Sequence, residues 1–436
     1  MKNKIKKSNF FSRFNKLGPG VISGAADDDP SGIASYSQAG AQFGLNLLWM
    51  SVFLFPILYV FVEMSARIGL VTGKGLISIM KVKYPKKIIY PIVFLLFFTN
   101  TINISADLGA IGMSANLVFP YIPSFLYIIF FTVFILFSEI FLSYKTYVKF
   151  LKILTLSLIS YIITALIVGG NWEQILKSSF IPHIEINENF LIMIVAMFGT
   201  TISPYVFLWQ ASEEAEEDVN NRKIKDLGFG KPRISKNEIK IMKKDIVLGI
   251  FFSLLIMWSI IVTTAGSIHM QGITDITSAE QAAKALEPSV NSFPNSGLIA
   301  KIIFAIGIIG TGLLAIPILA GSSAYAFSDA FGWKEGLSKK FKQAKLFYFT
   351  IIISTILGLF LSLIGFDPIK MLIYAAIINA VIVIPILIGI VKIGNDKKLL
   401  NKNTNSRFSN AIAIITIVIM SGSVILMTSV IIMIKN

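Results

Sequence analysis

The stretch Asp27-Asp28-Asp29-Pro30-Ser31-Gly32 lies within a segment, 19–43, that is otherwise apolar enough to enter a membrane. An Asp at the middle of a bilayer costs roughly 2.5–3.5 kcal/mol on insertion scales. Acids in such places are rare and mark ion or substrate pathways. Pro30 and Gly32 weaken helix continuity beside them. A helix broken at a carboxylate can hold a cation inside a bilayer.

The surrounding chain supplies the bilayer context. Of its 436 residues, 55% are hydrophobic and only 14% charged, and mean hydropathy is +0.74. The segments 128–142, 248–265, 302–320, 351–364 and 371–391 are nearly free of charge and, with their flanks, reach the ~20 residues a span needs. Continuous apolar runs exclude a β-barrel, whose strands alternate. The expected class is an all-α polytopic membrane protein. The absence of cysteine removes disulfides, thiolate metal sites, Fe–S clusters and cysteine nucleophiles. Segment 1–17 is basic but is followed by Gly18-Pro19-Gly20 rather than an apolar core, unlike a cleaved signal peptide.

Eleven spans are expected at 19–43, 46–69, 88–117, 124–143, 151–170, 190–217, 246–268, 298–330, 347–366, 371–392 and 410–434. With the N-terminus inside, the cytoplasmic segments hold Lys74, Lys81, Lys83, Lys145, Lys149, Lys152, Arg222, Lys243, Lys339 and most other cations. The opposite side holds only Lys177, Lys284, Lys370 and Lys435. The net charge of +15 is therefore membrane topology, with room for anionic-lipid contact, and not a nucleic-acid surface. The outer segment 269–297 contains a short helix signal from Ser278 to Leu286, stopped by Pro288, at the membrane surface or over an entrance.

A second span breaks the pattern. Gly199-Thr200-Thr201-Ile202-Ser203-Pro204-Tyr205 places Pro in mid-span beside small and hydroxyl residues, five spans after the first break. Interrupted helices at corresponding positions of two halves point to an inverted-repeat transporter with its site near the midplane. The repeats are 18–170 and 190–392, with 410–434 as an additional helix, in one domain spanning 1–436. Two ordinary proline kinks are the plainer account, and the acidic cluster argues against it.

These residues bring a family with them. Gly18-Pro19-Gly20, Asp29-Pro30-Ser31-Gly32 and the run on to Gly44 resemble the first helix of the Nramp family of divalent metal transporters. So do Ser65-Ala66-Arg67-Ile68-Gly69 with the run to Gly75, the segment from Gly310-Thr311-Gly312 to Tyr325, and Phe331-Gly332-Trp333 with the run to Leu337. The resemblance runs in order from the first span to beyond the eighth. It implies a LeuT-like 5+5 inverted repeat with broken helices 1 and 6.

The departures bear on the ion. The family's first-helix motif is Asp-Pro-Gly-Asn, so Asp29 keeps the acidic ligand while Gly32 stands where the Asn ligand belongs. The sixth-helix motif is Met-Pro-His, so Ser203 replaces the thioether and Tyr205 the His associated with proton movement. Backbone ligands one turn earlier correspond to Ala26 and Thr200. Thr201, beside Thr200, and Asp28 complete the candidate metal set. A thioether favours transition metals over hard ions. Mg²⁺ demands oxygen ligands and usually keeps several waters. The pattern resembles the magnesium-transporting branch, with Mn²⁺ as a second substrate and no cofactor.

In the third helix Asp107 matches the family's aspartate, while Asn100 and Ala110 stand at the positions of two glutamates. His183 and His269 fall in external loops. Few groups remain to shuttle a proton near neutral pH, so transport without obligatory proton symport is expected. The run Glu213, Glu214, Glu216, Glu217 and Asp218 is either an inner vestibule that gathers cations or a solvated helix end. Glu63 and Arg67, one turn apart, are expected to pair. Glu139 has no assigned role, and Asn379, six residues before Pro385, is a weak candidate beside the ion. The alternatives are a proton-coupled Mn²⁺/Fe²⁺ symporter and, on the same fold, a sodium-coupled amino-acid carrier, whose carboxylate substrate suits Asp29 poorly. The expected setting is a bacterial plasma membrane, with a monomeric chain whose partners are divalent cations and the lipid bilayer.

Overall fold

The computed structural model describes residues 19–141, 158–276, 278–365 and 367–435. The basic tail 1–17 and the cations Lys145, Lys149 and Lys152 lie outside the described residues. The longer helices, in order, are α1 (Pro19–Asp27), α2 (Pro30–Phe43), α3 (Met50–Thr72), α4 (Leu76–Lys83), α5 (Lys86–Val118), α6 (Ser124–Phe141) and α7 (Ile159–Val168). They continue as α8 (Trp172–Phe180), α9 (Glu188–Thr201), α10 (Pro204–Asn220), α11 (Lys236–Ser267), α12 (Ala279–Lys284) and α13 (Ser296–Phe331). The chain closes with α14 (Lys345–Leu363), α15 (Pro368–Gly394), α16 (Lys397–Leu400) and α17 (Arg407–Lys435). Among the described residues, β pairing is limited to one isolated bridge, Asp226 to Phe229.

Nine helical stretches among the described residues are long and apolar enough to cross a membrane, counting α9 with α10 as one. The first expected span is not among them, because its break leaves helices of only 9 and 14 residues. The fifth is described only as the ten-residue α7. The seventh begins at Lys236, ten residues before the expected 246. There Ser235 accepts from the Glu238 N–H while Glu238 accepts from the Ser235 N–H, a capping box that starts the helix early.

Polarity is distributed for lipid. On α6 only Ile128, Thr132, Ile135 and Ser138 are buried, one stripe at helical spacing. Phe130, Val133 and Phe137 face outward. The interior instead holds Asn100, Asn103, Asp107, Thr200 and Gln210. In water this arrangement would expose a large apolar belt; in a bilayer that belt meets hydrocarbon.

Loops join within two sets. Gln38 donates to the Thr274 carbonyl and accepts from the Ile276 N–H, His269 contacts the Ala41 carbonyl, and Asn46 donates to Glu185. Thr274, Ile276, His269 and Glu185 belong to expected outer segments, and Gln38, Ala41 and Asn46 to the span ends next to them. Gly228 N–H donates to the Gly73 carbonyl, and Lys81 donates to the Asp329 and Ala330 carbonyls. Arg67 grips Glu63 with two bonds, 2.9 and 3.0 Å, and also reaches the Asn403 carbonyl and Asn405. The expected pair therefore exists and ties α3 to the segment before α17.

The two broken spans run antiparallel at the centre. Partners fall in number along one as they rise along the other: Ser23 with Gln210, Ala26 with Tyr205, Ser31 with Thr200. The pair is packed among α3, α11, α13, α15 and α17, with α5 touching α2 and α10. Gly199 makes the closest approach. A Cβ there would lie 1.7 Å from the Ala376 carbonyl oxygen, so α15 presses directly on the end of α9. Beside the first half of α2, Ala279 and Ala282 of α12 line a small apolar cavity of about 30 Å³ together with Pro30, Ile33 and Ala110. Ser278 caps α12 as expected, accepting from the Gln281 N–H.

Candidate functional site

Both breaks have the same local cause. Pro30 and Pro204 cannot donate to the preceding turn, so each ends one helix and begins another. The residue before each is extended, Asp29 at φ −68°, ψ 173° and Ser203 at φ −82°, ψ 132°. Carbonyl ends of α1 and α9 and amide ends of α2 and α10 thus meet in the interior. Carbonyl ends favour cations and amide ends favour anions.

Asp29 is the centre of this meeting and is 2% exposed. As N-cap of α2 its Oδ1 accepts from the Gly32 N–H at 2.8 Å and from the Ser31 hydroxyl at 2.5 Å. Its Oδ2 accepts from the Tyr205 hydroxyl at 3.3 Å, which also reaches the Ala26 carbonyl at 3.2 Å. Ser31 meets the Thr200 hydroxyl at 3.0 Å, and Tyr36 meets Thr201 at 2.8 Å. Asp29, Ala26, Thr200 and Tyr205 are therefore brought into one buried network of carboxylate, hydroxyl, phenol and carbonyl oxygens, with the Thr201–Tyr36 pair beside it.

Three candidates behave differently. Ser203 turns back on its own helix, donating to the Thr200 carbonyl at 2.7 Å and the Gly199 carbonyl at 3.1 Å. Asp28 faces away from Asp29's partners and accepts from Ser253 of α11 at 3.2 Å. Gly32 contributes its N–H and no side chain. A Cβ on it would lie 3.3 Å from the Asp27 carbonyl oxygen and 3.3 Å from the Tyr36 ring, so an Asn there would press on that ring. Among the described residues no group of three or more His, Cys, Asp or Glu side chains is arranged to hold a metal ion. The adjacent acids do not form a carboxylate cage. Any ion at Asp29 would rely on one carboxylate and neutral oxygens.

Ser31 and Tyr36 were not singled out as site residues. The available signal was spacing: Tyr36 follows Asp29 by two helical turns on one face.

Of the third-helix positions, Asp107 is fully buried, within electrostatic reach of Asp29 and Tyr205, and neither of its oxygens accepts a hydrogen bond among the described residues. Asn100 instead donates to the Leu319 carbonyl and Ser323, joining α5 to α13. Ala110 lines the apolar cavity. His183 contacts Glu185 and His269 contacts the Ala41 carbonyl, both remote from Asp29's partners. Asn379 is buried one turn from Ala376, on the helix that presses against α9.

The acidic end of α10 is not a solvated helix end. Glu213, Glu214, Glu216 and Asp218 are buried, and only Glu217 is exposed. Glu216 accepts from the Tyr325 hydroxyl at 2.5 Å and from the Leu337 and Ser338 N–H groups at 2.6 and 3.2 Å. Asp218 pairs with Lys223 at 2.9 Å. Burial, with Asp329 and Glu216 nearby, pushes the neighbouring Glu335 carboxyl well above the ordinary range. Glu216 thus pins the loop after α13. A second chain of contacts, Ser23 to Gln210 to Glu214, runs from α1 along α10.

Comparison with known proteins agrees with this geometry. A divalent metal cation transporter MntH of Caldanaerobacter subterraneus subsp. tengcongensis is 24% identical over 316 residues, 70% of each chain. One of Mesorhizobium japonicum is 26% identical over 311 residues, 69% of this chain and 64% of that one. The manganese transporter of Eremococcus coleocola superposes with a TM-score of 0.76 at 13% identity, covering 97% of this chain and 87% of that one. Mhp1, a nucleobase-cation-symport-1 family transporter, gives 0.50 at 13% identity over 90% of this chain and 81% of its own. The fold is thus the LeuT-like one with broken first and sixth spans. Residues 20–429 match the family described as natural resistance-associated macrophage protein-like, and the chain belongs to the Nramp family of multi-pass membrane transporters.

Proposed function

We propose that this protein is a secondary carrier that moves divalent cations by alternating access, with Mg²⁺ preferred, Mn²⁺ as a second substrate, and no obligatory proton symport. The observation that carries the reading is the chemistry around Asp29: every polar partner in its network is an oxygen or a backbone N–H. Oxygen ligands suit hard cations, while soft thioether ligands select transition metals. Ser203 and Gly32, small where the family has Met and Asn, favour an ion that keeps part of its water. The relatives' names as divalent metal and manganese transporters support a divalent cargo.

The remoteness of both histidines from Asp29 supports the absence of proton symport. The same reading has a monomeric carrier with two repeats, 18–170 and 190–392, an additional last helix, and its N-terminus in the cytoplasm of a bacterial plasma membrane. One observation favours a second reading, a proton-coupled Mn²⁺/Fe²⁺ symporter: Asp107 is a buried acid without a hydrogen-bond donor among the described residues, in reach of Asp29.

Uptake into proteoliposomes separates the two. Mg²⁺, Mn²⁺ and Ca²⁺ would be compared with and without a pH gradient, with a pH dye inside. Mg²⁺ uptake insensitive to the gradient, with Mn²⁺ competing and Ca²⁺ weaker, is expected. Internal acidification driven by metal entry, with Mn²⁺ strongly preferred at equal concentration, would establish the second reading instead.

A further inference from the structure

Tyr205 is the second residue of α10, and its ring is 1% exposed. Its hydroxyl spans the two broken helices, 3.2 Å from the Ala26 carbonyl oxygen and 3.3 Å from Asp29 Oδ2. A phenol carries one hydrogen. That hydrogen is shared between two acceptors, and both distances are long for an O–H donor. The two acceptors are the backbone and carboxylate oxygens that a cation at this break would coordinate. The positive end of the O–H dipole therefore points to the place where a cation's charge would be.

We infer that the Tyr205 hydroxyl is a latch that competes with the cargo for Ala26 O and Asp29 Oδ2, and that it serves the return of the carrier without cargo. The inference rests on the reading of Asp29 as the cation anchor. A cation approaching those oxygens repels the hydroxyl hydrogen, and rotation about the Cζ–Oη bond turns it away. No bond to hydrogen breaks and no proton leaves the tyrosine. On the return leg Asp29 crosses without a cation, in surroundings where a carboxylate lacking donors is costly. Ser31 and Gly32 satisfy Oδ1 from the same helix. Tyr205 brings a donor to Oδ2 from the opposite broken span, so its bond also holds the two spans together.

This division of labour has a kinetic signature. Net uptake requires the return leg, whereas cation-for-cation exchange does not, because the cargo satisfies Asp29 in both directions. Tyr205→Phe keeps the ring and removes only the hydroxyl. In proteoliposomes it is expected to slow net Mg²⁺ uptake about tenfold, leave Mg²⁺/Mg²⁺ exchange within about twofold, and tighten Mg²⁺ binding about threefold. Equal loss of uptake and exchange would overturn the latch, as would weaker binding, which marks Tyr205 as a ligand. Unchanged net uptake would overturn it too. Replacing Tyr205 with 3-fluorotyrosine preserves the fold and strengthens the donor; it should weaken Mg²⁺ binding, and tighter binding would also overturn the latch. If the unmodified protein moved no divalent cation in either assay, the carrier reading itself would fail, a result distinct from failure of the latch.

Discussion

The two breaks look alike in sequence and do different work. Each has a proline at the start of its second half, and each is preceded by an extended residue with an oxygen side chain. At the first, Asp29 caps the helix and brings a carboxylate into the oxygen network. At the second, Ser203 makes no cap, and its hydroxyl bonds back to Gly199 and Thr200. The second break instead contributes the donor Tyr205 and the hydroxyls of Thr200 and Thr201. One break supplies charge and the other supplies partners for it. Their ends away from the breaks also differ. The Gly20 N–H of α1 meets Asp245, whereas near the end of α10 the buried Glu216 bonds to Tyr325 of α13 and to the loop after it.

Removing the charge should have the largest effect. Asn caps helices as well as Asp does, so Asp29→Asn should fold normally yet reduce Mg²⁺ uptake to the background of protein-free vesicles. Asp29→Ala should do the same and cost about 1 kcal/mol more in stability through the lost cap. Retained uptake in both would move the charge to another residue and dissolve the contrast between the breaks.

Packing at the second break comes next. In Gly199→Ala the new methyl meets the Ala376 carbonyl, and overpacking of this kind costs about 1–3 kcal/mol. A lower Tm in detergent is expected, and an unchanged Tm would show that α15 does not bear on this break.

The acidic end of α10 gives a test by pH. Glu335 holds its proton more tightly folded than unfolded, so the folded state loses stability as pH rises above the ordinary Glu range. Glu335→Gln keeps the shape and removes the titration. It should flatten the fall of Tm as pH rises above the ordinary Glu range while leaving Mg²⁺ uptake unchanged. Lost uptake would make these acids part of the ion path rather than an anchor.

The smallest effect is expected at Ser203. Its hydroxyl serves its own helix end, so Ser203→Ala should change the apparent Mg²⁺ affinity by no more than about threefold. A loss matching that of Asp29→Asn would make both breaks ligand-bearing.

Much of the fold is legible along the chain because its causes are local. Proline at 30 and 204 removes a backbone donor wherever it stands, so both breaks are found at the expected positions. The Glu63–Arg67 pair follows from helical spacing. The early start of α11 was also readable, since Ser235 and Glu238 have capping-box spacing. Other features depend on distant partners. Ser23 needs Gln210, 187 positions away, and Glu216 needs Tyr325, 109 away. No local pattern distinguishes those buried acids from a solvated acidic helix end.

The sequence by itself determined a membrane-embedded helical chain of the Nramp family, interrupted twice, with acid at the first interruption. Hydropathy, proline chemistry and motif order all lie within short stretches. The motif already pointed to Asp29, and only the tertiary structure decided what each of the three consecutive aspartates meets. Asp27 ends α1, Asp28 turns to Ser253, and Asp29 caps α2 and faces Tyr205. Adjacent residues at a helix break point in different directions, and the helix packed on each side determines which carboxylate meets which partner.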